Sequence, residues 1–378
     1  MAKSAQQSVL ILQGGGALGA YQAGVYETLL KHHTTIDWVI GTSIGAINSA
    51  LIAGNPPDTC LESLQAFWQS LVPATASLPG LWAGFSPLSP LSPLQSWLNQ
   101  SANVETVDVL MNGVEGFFKP RYAAWDIQAR LPLHEAGFYD TAPLRATLEK
   151  FIDFDYLNNG PMRISVCAVD IDDGQSKVFD STEDWIGPEH IMASGALPPG
   201  FPPIEIEGHA YWDGGVYSNS PLEIFLEDEV KRDALCFMVD LWDPTEARPQ
   251  NMAEVLTRTK SIQYASRSAE QLAAHERQQN LQRAIRALSD RLPPAARKDQ
   301  ELRPLIEMGC DHTINVVHLI LKAAPTDQYF KDIDFSRETI QARWQAGMHD
   351  CGRALRHKAW LQPLPPHAGL IIHELPQE

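Results

Sequence analysis

Ser43 stands between two glycines in Gly41-Thr42-Ser43-Ile44-Gly45, directly after the apolar run Trp38-Val39-Ile40 and before Ala46, Ile47, Ala50, Leu51 and Ile52. A strand, a sharp turn and a helix in that order form the context in which Gly-x-Ser-x-Gly marks a nucleophilic serine. The turn requires Gly41 and Gly45, because a Cβ at either position would collide with the bent backbone, while Ser43 Oγ is left pointing outward. Serine is a weak nucleophile until a base takes its proton. A candidate base is Asp213 in Tyr211-Trp212-Asp213-Gly214-Gly215-Val216, a carboxylate at the end of a short aromatic strand, with Gly214 and Gly215 permitting close backbone approach. A free aspartate, with a pKa of about 3.9, is a poor base at neutral pH, so this pair requires burial that raises Asp213.

A second glycine cluster lies upstream. Val9-Leu10-Ile11-Leu12 runs into Gly14-Gly15-Gly16, and a helical stretch follows from Ala17 to about Leu30. Consecutive glycines let backbone N–H groups turn toward a bound group, and the helix N-terminus adds partial positive charge, so the loop suits an oxyanion or a phosphate. Gly14-x-Gly16-x-x-Gly19 also satisfies the dinucleotide fingerprint, with Asp37 downstream, which makes a nucleotide- or phosphate-binding protein the alternative. It fits less well, because the acidic residue of that fingerprint closes the second strand, whereas Asp37 precedes Trp38-Val39-Ile40. It also leaves Ser43 and its glycines without a role. A histidine-dependent triad is a further reading, since His275, His312, His318 and His349 follow Asp213, but none carries a motif of its own. No His, Cys or carboxylate cluster has ligand spacing, so neither a metal nor another cofactor is expected.

In this order and at these distances, Gly14-Gly15-Gly16-Ala17-Leu18-Gly19, Gly41-Thr42-Ser43-Ile44-Gly45 and Asp213-Gly214-Gly215 resemble the patatin-like phospholipases. Ala193-Ser194-Gly195-Ala196-Leu197-Pro198, leading into Phe201-Pro202-Pro203, is similar to the segment that precedes the catalytic aspartate in that family. The resemblance covers residues 8–226. It implies a lipid acyl hydrolase, a phospholipase, lysophospholipase or carboxylesterase, in which Ser43 is the nucleophile, Asp213 the proton acceptor and Gly14 to Gly16 the oxyanion hole. Gly19, Gly41, Gly45, Gly214 and Gly215 support the motifs. One position departs: the family's loop usually carries Arg or Lys before its last glycine, and this chain has Leu18 there. The backbone donors survive, but a cation beside the developing charge is lost, and with it a ready preference for anionic headgroups.

The elements that must position these residues alternate. Val9–Leu12, Trp38–Ile40, Ile164–Ala168, Lys177–Phe179 and Leu235–Leu241 read as strands, the first two each followed by a helix. This is an α/β pattern with a mostly parallel central sheet and helices on both faces, and both Gly14–Gly16 and Ser43 fall at carboxyl ends of strands. With the resemblance, the expectation is a patatin-like three-layer sandwich over 8–226, interrupted by a Pro/Trp-rich insertion at about 73–133 that either forms a lid or acyl vestibule or is a well-packed insertion capping the sheet. A C-terminal extension at 227–378 should begin with a strand and be mainly helical.

The length of 378 residues exceeds a typical single domain, and the formal net charge of -17 argues against nucleic-acid binding. Within the extension the balance reverses: residues 251–298 hold nine Lys or Arg against four Asp or Glu. There Leu281, Ile285, Leu288 and Leu292 recur at helical spacing. That basic amphipathic helix either packs on the catalytic domain or contacts a membrane or partner, and a degenerate, scaffold-like protein acting through it is the other alternative. Five unpaired cysteines, no signal-peptide pattern and no membrane-span run point to a cytoplasmic protein that could touch the membrane peripherally and could form homo-oligomers.

Overall fold

The computed structural model describes residues 6–73, 104–228, 232–322, 330–361, 365 and 368–374. The Pro/Trp-rich residues 81–97 therefore lie outside the described residues, while 104–133, the latter part of the expected insertion, lie within them.

The described residues fold around one nine-stranded sheet. Its strands are β1 (Gln7–Leu12), β2 (Trp38–Gly41), β5 (Arg163–Asp170), β6 (Ser176–Asp180), β7 (Ile204–Ile206), β8 (His209–Asp213), β9 (Ala234–Asp240), β10 (Ile314–Ile320) and β11 (Leu370–Glu374). A small antiparallel pair, β3 (Lys119–Pro120) and β4 (Tyr139–Asp140), stands apart. The spatial order is β11-β10-β9-β1-β2-β5-β8-β7, with β6 pairing β5 off this path. From β11 across to β5 every neighbouring pair is parallel, and β6, β7 and β8 form the antiparallel margin.

A parallel sheet covered on both faces needs strands that are apolar throughout. β1 meets this by sending Leu10 and Leu12 to one face and Val9 and Ile11 to the other, and β9 splits Phe237 and Val239 from Cys236 and Met238 in the same way. The larger core takes α1 (Ala20–Lys31) and α2 (Ile44–Ala53) together with the helix Arg337–His357; the smaller takes Leu222, Phe225 and Leu226 of the helix Leu222–Glu227 and Leu272 of the long helix Met252–Ser289. Tyr21 Oη donates to Asp350 at 3.0 Å and Trp344 Nε1 donates to Glu27 at 2.6 Å, tying α1 to the helix Arg337–His357.

The residues beyond the expected boundary at 226/227 contribute β9, β10 and β11 to the same sheet, with β9 lying directly beside β1. In the leucine stripe of the long helix, Leu281 and Leu288 are more than 60% exposed, whereas Ala265 and Leu272, which lie outside the stripe and on the opposite side of the helix, are buried. No described helix is long and apolar enough to cross a membrane.

Candidate active site

Ser43 caps α2 with φ 57° and ψ -124°, a left-handed-side conformation unusual for a residue with a side chain. The flanking glycines make it attainable: a Cβ on Gly41 would lie 2.3 Å from Gly45 O, and one on Gly45 2.1 Å from Leu12 O. Thr42 N–H donates to Leu12 O at 3.2 Å, which pins the turn to the end of β1. The Ser43 N–H donates to the hydroxyl of fully buried Ser194 at 3.1 Å.

Asp213 reaches Ser43 through the antiparallel margin of the sheet. β5 runs beside β2 through Arg163–Val166 and then pairs Ala168 with Asp213, so it spans the serine turn and the Asp-Gly-Gly segment. Between them the Cys167 thiol contacts Thr42 Oγ1 at 3.0 Å, and a Cβ on Gly214 would lie 2.5 Å from that sulfur. The backbone of Asp213 is anchored by its N–H donating to Ala196 O at 3.0 Å, which gives Ala193–Leu197 a structural purpose.

The carboxyl of Asp213 is 1% exposed. Its Oδ1 accepts the Gly215 N–H at 2.7 Å, and Oδ2 is buried without a formed hydrogen bond among the described residues. Burial pushes its pKa up to about 7, an effect that the nearby Ser43 hydroxyl and the Gly215 N–H only partly offset. The Ser43 hydroxyl is thus near enough to act on the carboxyl without being aligned as a full hydrogen bond, a looseness common before substrate binds.

The glycine loop stands beside the serine, with Gly14, Gly15 and Gly16 lining the same cavity as Ser43 and Asp213. Its three N–H groups are not equivalent. That of Gly14 donates to Asn219 O at 3.3 Å, whereas those of Gly15 and Gly16 have no acceptor among the described residues. The cavity measures about 390 Å³, and its walls include Ile44, Ile47, Phe117, Phe118, Tyr139 and Phe201. Leu18 is buried in the core and does not line the cavity, and Gly19 packs against Ile44 and Trp68.

The alternatives find less support in this geometry. Asp37 accepts the Ser8 N–H at the amino ends of β1 and β2, opposite the glycine loop, so it is remote from any ligand held there. Among the described residues no histidine lines the cavity. His318 is instead buried against Asp240 at 3.0 Å; burial alone would lower its pKa, but this carboxylate together with Glu374 outweighs it and raises it to about 9. Ser194, Cys167, Asn219 and Trp242, all close to the site, were not given roles from sequence. Ser194 fell inside a recognised segment, but the others gave no local signal of what they touch.

A family model described as patatin-like phospholipase matches residues 10–226, and a second, described as patatin phospholipase, matches residues 262–367. The patatin-like phospholipase domain-containing protein ZK370.4 of Caenorhabditis elegans is 42% identical over 59 residues, 16% of this chain and 4% of that protein. The chain therefore spans only a small fraction of this curated relative. Among solved structures, VipD from Legionella pneumophila aligns with a TM-score of 0.34 and 13% identity, over 91% of this chain and 67% of that one. The type III effector ExoU aligns with a TM-score of 0.35 and 14% identity, over 94% and 53%. The match over 10–226 takes in the serine turn, the glycine loop and the Asp-Gly-Gly segment and covers more than half of the sequence: this chain belongs to the patatin-like phospholipase family.

Proposed function

We propose that this chain is a serine acyl hydrolase that cleaves carboxylic esters of lipid type, with Ser43 as nucleophile and Asp213 as proton acceptor. The observation that carries this reading is a serine strained at positive φ facing a buried carboxyl whose pKa is about 7, at the head of a largely apolar cavity. At neutral pH about half of such carboxyls are ionised and still basic enough to accept a hydroxyl proton, which an ordinary aspartate does poorly.

The steps follow from these groups. Ser43 Oγ attacks the ester carbonyl carbon as its proton passes to Asp213 Oδ2. The carbonyl oxygen, now anionic, is held by the N–H groups of Gly15 and Gly16, each such donor being worth roughly 2.7 to 4 kcal/mol in comparable sites. Collapse breaks the ester C–O bond, and the leaving alkoxide takes the proton from Asp213. Water then attacks the acyl-serine with Asp213 again as base, and as the bond to Ser43 Oγ breaks that oxygen takes the proton from Asp213, releasing the carboxylic acid and restoring the pair. The aromatic and aliphatic wall accepts the acyl chain and excludes water from the oxyanion. Residues 8–226 supply all reacting groups, and 227–378 support them.

Contact with the lipid surface is assigned to the long helix Met252–Ser289, where Leu281 and Leu288 project outward among arginines. Labelling by a fluorophosphonate tests the reaction: wild type should label, and Ser43→Ala and Asp213→Asn should not. A folded wild type that neither labels nor turns over nitrophenyl esters would sink the proposal.

A further inference from the structure

Three adjacent glycines are the most freely rotating backbone available, yet an oxyanion hole works only if its N–H groups are already aimed. The Gly14 carbonyl is held from two sides: Asn219 Nδ2 donates to it at 3.0 Å and Trp242 Nε1 at 2.9 Å, both from buried side chains. Across a planar trans peptide the carbonyl and the following N–H point in opposite directions. Holding the Gly14 carbonyl toward Asn219 and Trp242 therefore directs the Gly15 N–H away from them, to the side where it meets no acceptor among the described residues.

Trp242 is itself fixed. Buried Gln13 accepts the N–H groups of Leu241 and Trp242 through Oε1, so the chain leaving β9 is fastened to the end of β1. The indole stacks on Tyr264 with ring centroids 5.0 Å apart, and the ammonium groups of Lys331 and Lys260 lie 5.1 and 5.7 Å from its centre. The neighbouring glycines are hemmed in as well: a Cβ on Gly15 would meet Leu241 Cδ1 at 2.8 Å, and one on Gly16 would meet Asp332 O at 2.2 Å. Trp242, Leu241 and Asp332 all lie beyond residue 226, and Trp242 falls between the two family-matched segments.

We infer that Trp242, acting with Asn219, is a positioning residue that locks the Gly14–Gly15 peptide and so presets the oxyanion hole; the C-terminal extension is thereby part of the apparatus for transition-state binding. The inference rests on the hydrolase reading for its kinetic consequence but not for its structural one. In Trp242→Phe an aromatic ring that can stack on Tyr264 is kept while the N–H donor is lost. kcat for a nitrophenyl ester should fall about tenfold or more with KM within about twofold, because the affected interaction exists only in the transition state. The fluorophosphonate labelling rate should fall by a similar factor, and the pH midpoint should stay in place. Asn219→Asp, which removes the other donor at constant size, should act in the same direction. A folded Trp242→Phe protein with unchanged kcat, or with the whole loss in KM, overturns the inference.

The structural consequence is read without turnover. In the Ser43→Ala background, 15N relaxation of the Gly15 amide should give an order parameter near about 0.85 with Trp242 and below about 0.6 with Phe at 242. An equally rigid Gly15 in both proteins overturns the inference, whereas an inert wild type with a mobile Gly15 only in the variant removes the hydrolase reading alone.

Discussion

Asp213→Asn should stabilise the protein, and by an amount that depends on pH. In the folded chain burial lifts this carboxyl from its ordinary 3.8 to about 7, so folding carries a cost whenever the group must be ionised. Because the folded form binds the proton more tightly than the unfolded chain, the favourable contribution of the protonated group is complete below about pH 4. It is lost as pH rises through about 7, after which the cost is constant. The gap between 3.8 and about 7, at about 1.36 kcal/mol per pH unit, sets that plateau at about 4 kcal/mol, and the same linkage gives about 2 kcal/mol at pH 5. Asparagine keeps an oxygen for the Gly215 N–H and has nothing to ionise. Urea unfolding of both proteins between pH 5 and 8.5, taken as a difference so that all other titrating groups cancel, should show the variant's advantage growing by about 2 kcal/mol or more over that range. A difference that stays flat would mean that Asp213 titrates alike in both states, and the argument for its basicity would fall with it.

The same carboxyl should govern the rate: kcat/KM for a neutral ester rises with pH about a midpoint near 7, and a midpoint near 4 would exclude Asp213 as the base. Gly45→Ala drives a methyl group onto the Leu12 carbonyl at 2.1 Å, so denaturation should register a loss of at least about 2 kcal/mol together with loss of phosphonate labelling; near-normal values in both would show that the turn does not need glycine there. Phe118→Leu thins the aromatic wall that Phe118 builds with Tyr139 and Phe201, ring centroids 5.0 and 5.2 Å away. The ratio of kcat/KM for sixteen-carbon over eight-carbon nitrophenyl esters should then rise by about threefold or more, and an unchanged ratio would place the acyl chain elsewhere. Leu281→Glu with Leu288→Glu should reduce sedimentation with phosphatidylcholine vesicles while sparing turnover of a soluble short-chain ester, and undiminished vesicle binding would free that helix of the role.

Local chemistry made part of this site legible. The requirement for glycine at 41 and 45 is set by atoms within a few residues or on the adjacent strand, and the glycine loop ends its strand in plain view. The nearness of Asp213 to Ser43 was inferred from motif order alone, because it depends on β5 changing partners from β2 to β8, a long-range event with no sequence marker. Asn219 and Trp242 were silent for the same reason: each meets Gly14 across more than two hundred residues. β11 escaped notice because Leu370-Ile371-Ile372 is short and becomes a strand only by pairing with β10. Periodicity marked the stripe of Leu281, Ile285 and Leu288 on the long helix but not whether it packs or faces outward: Leu281 and Leu288 are exposed, while the buried Leu272 lies on the opposite side of the helix, where no stripe was apparent.

The place of β1 in the sheet bears on how the polypeptide is made. Its partner β2 leaves the ribosome soon after it, but its other partner, β9, begins only at Ala234, which pairs with Gln7. At about 5 to 20 residues per second, roughly 10 to 45 s separate the synthesis of the two edges that must meet. Throughout that interval the nascent chain carries an apolar strand with one row of backbone groups unmatched, a surface that invites pairing with other chains. Cotranslational chaperone engagement would therefore be concentrated on the first half of this polypeptide, and its release would await the emergence of β9.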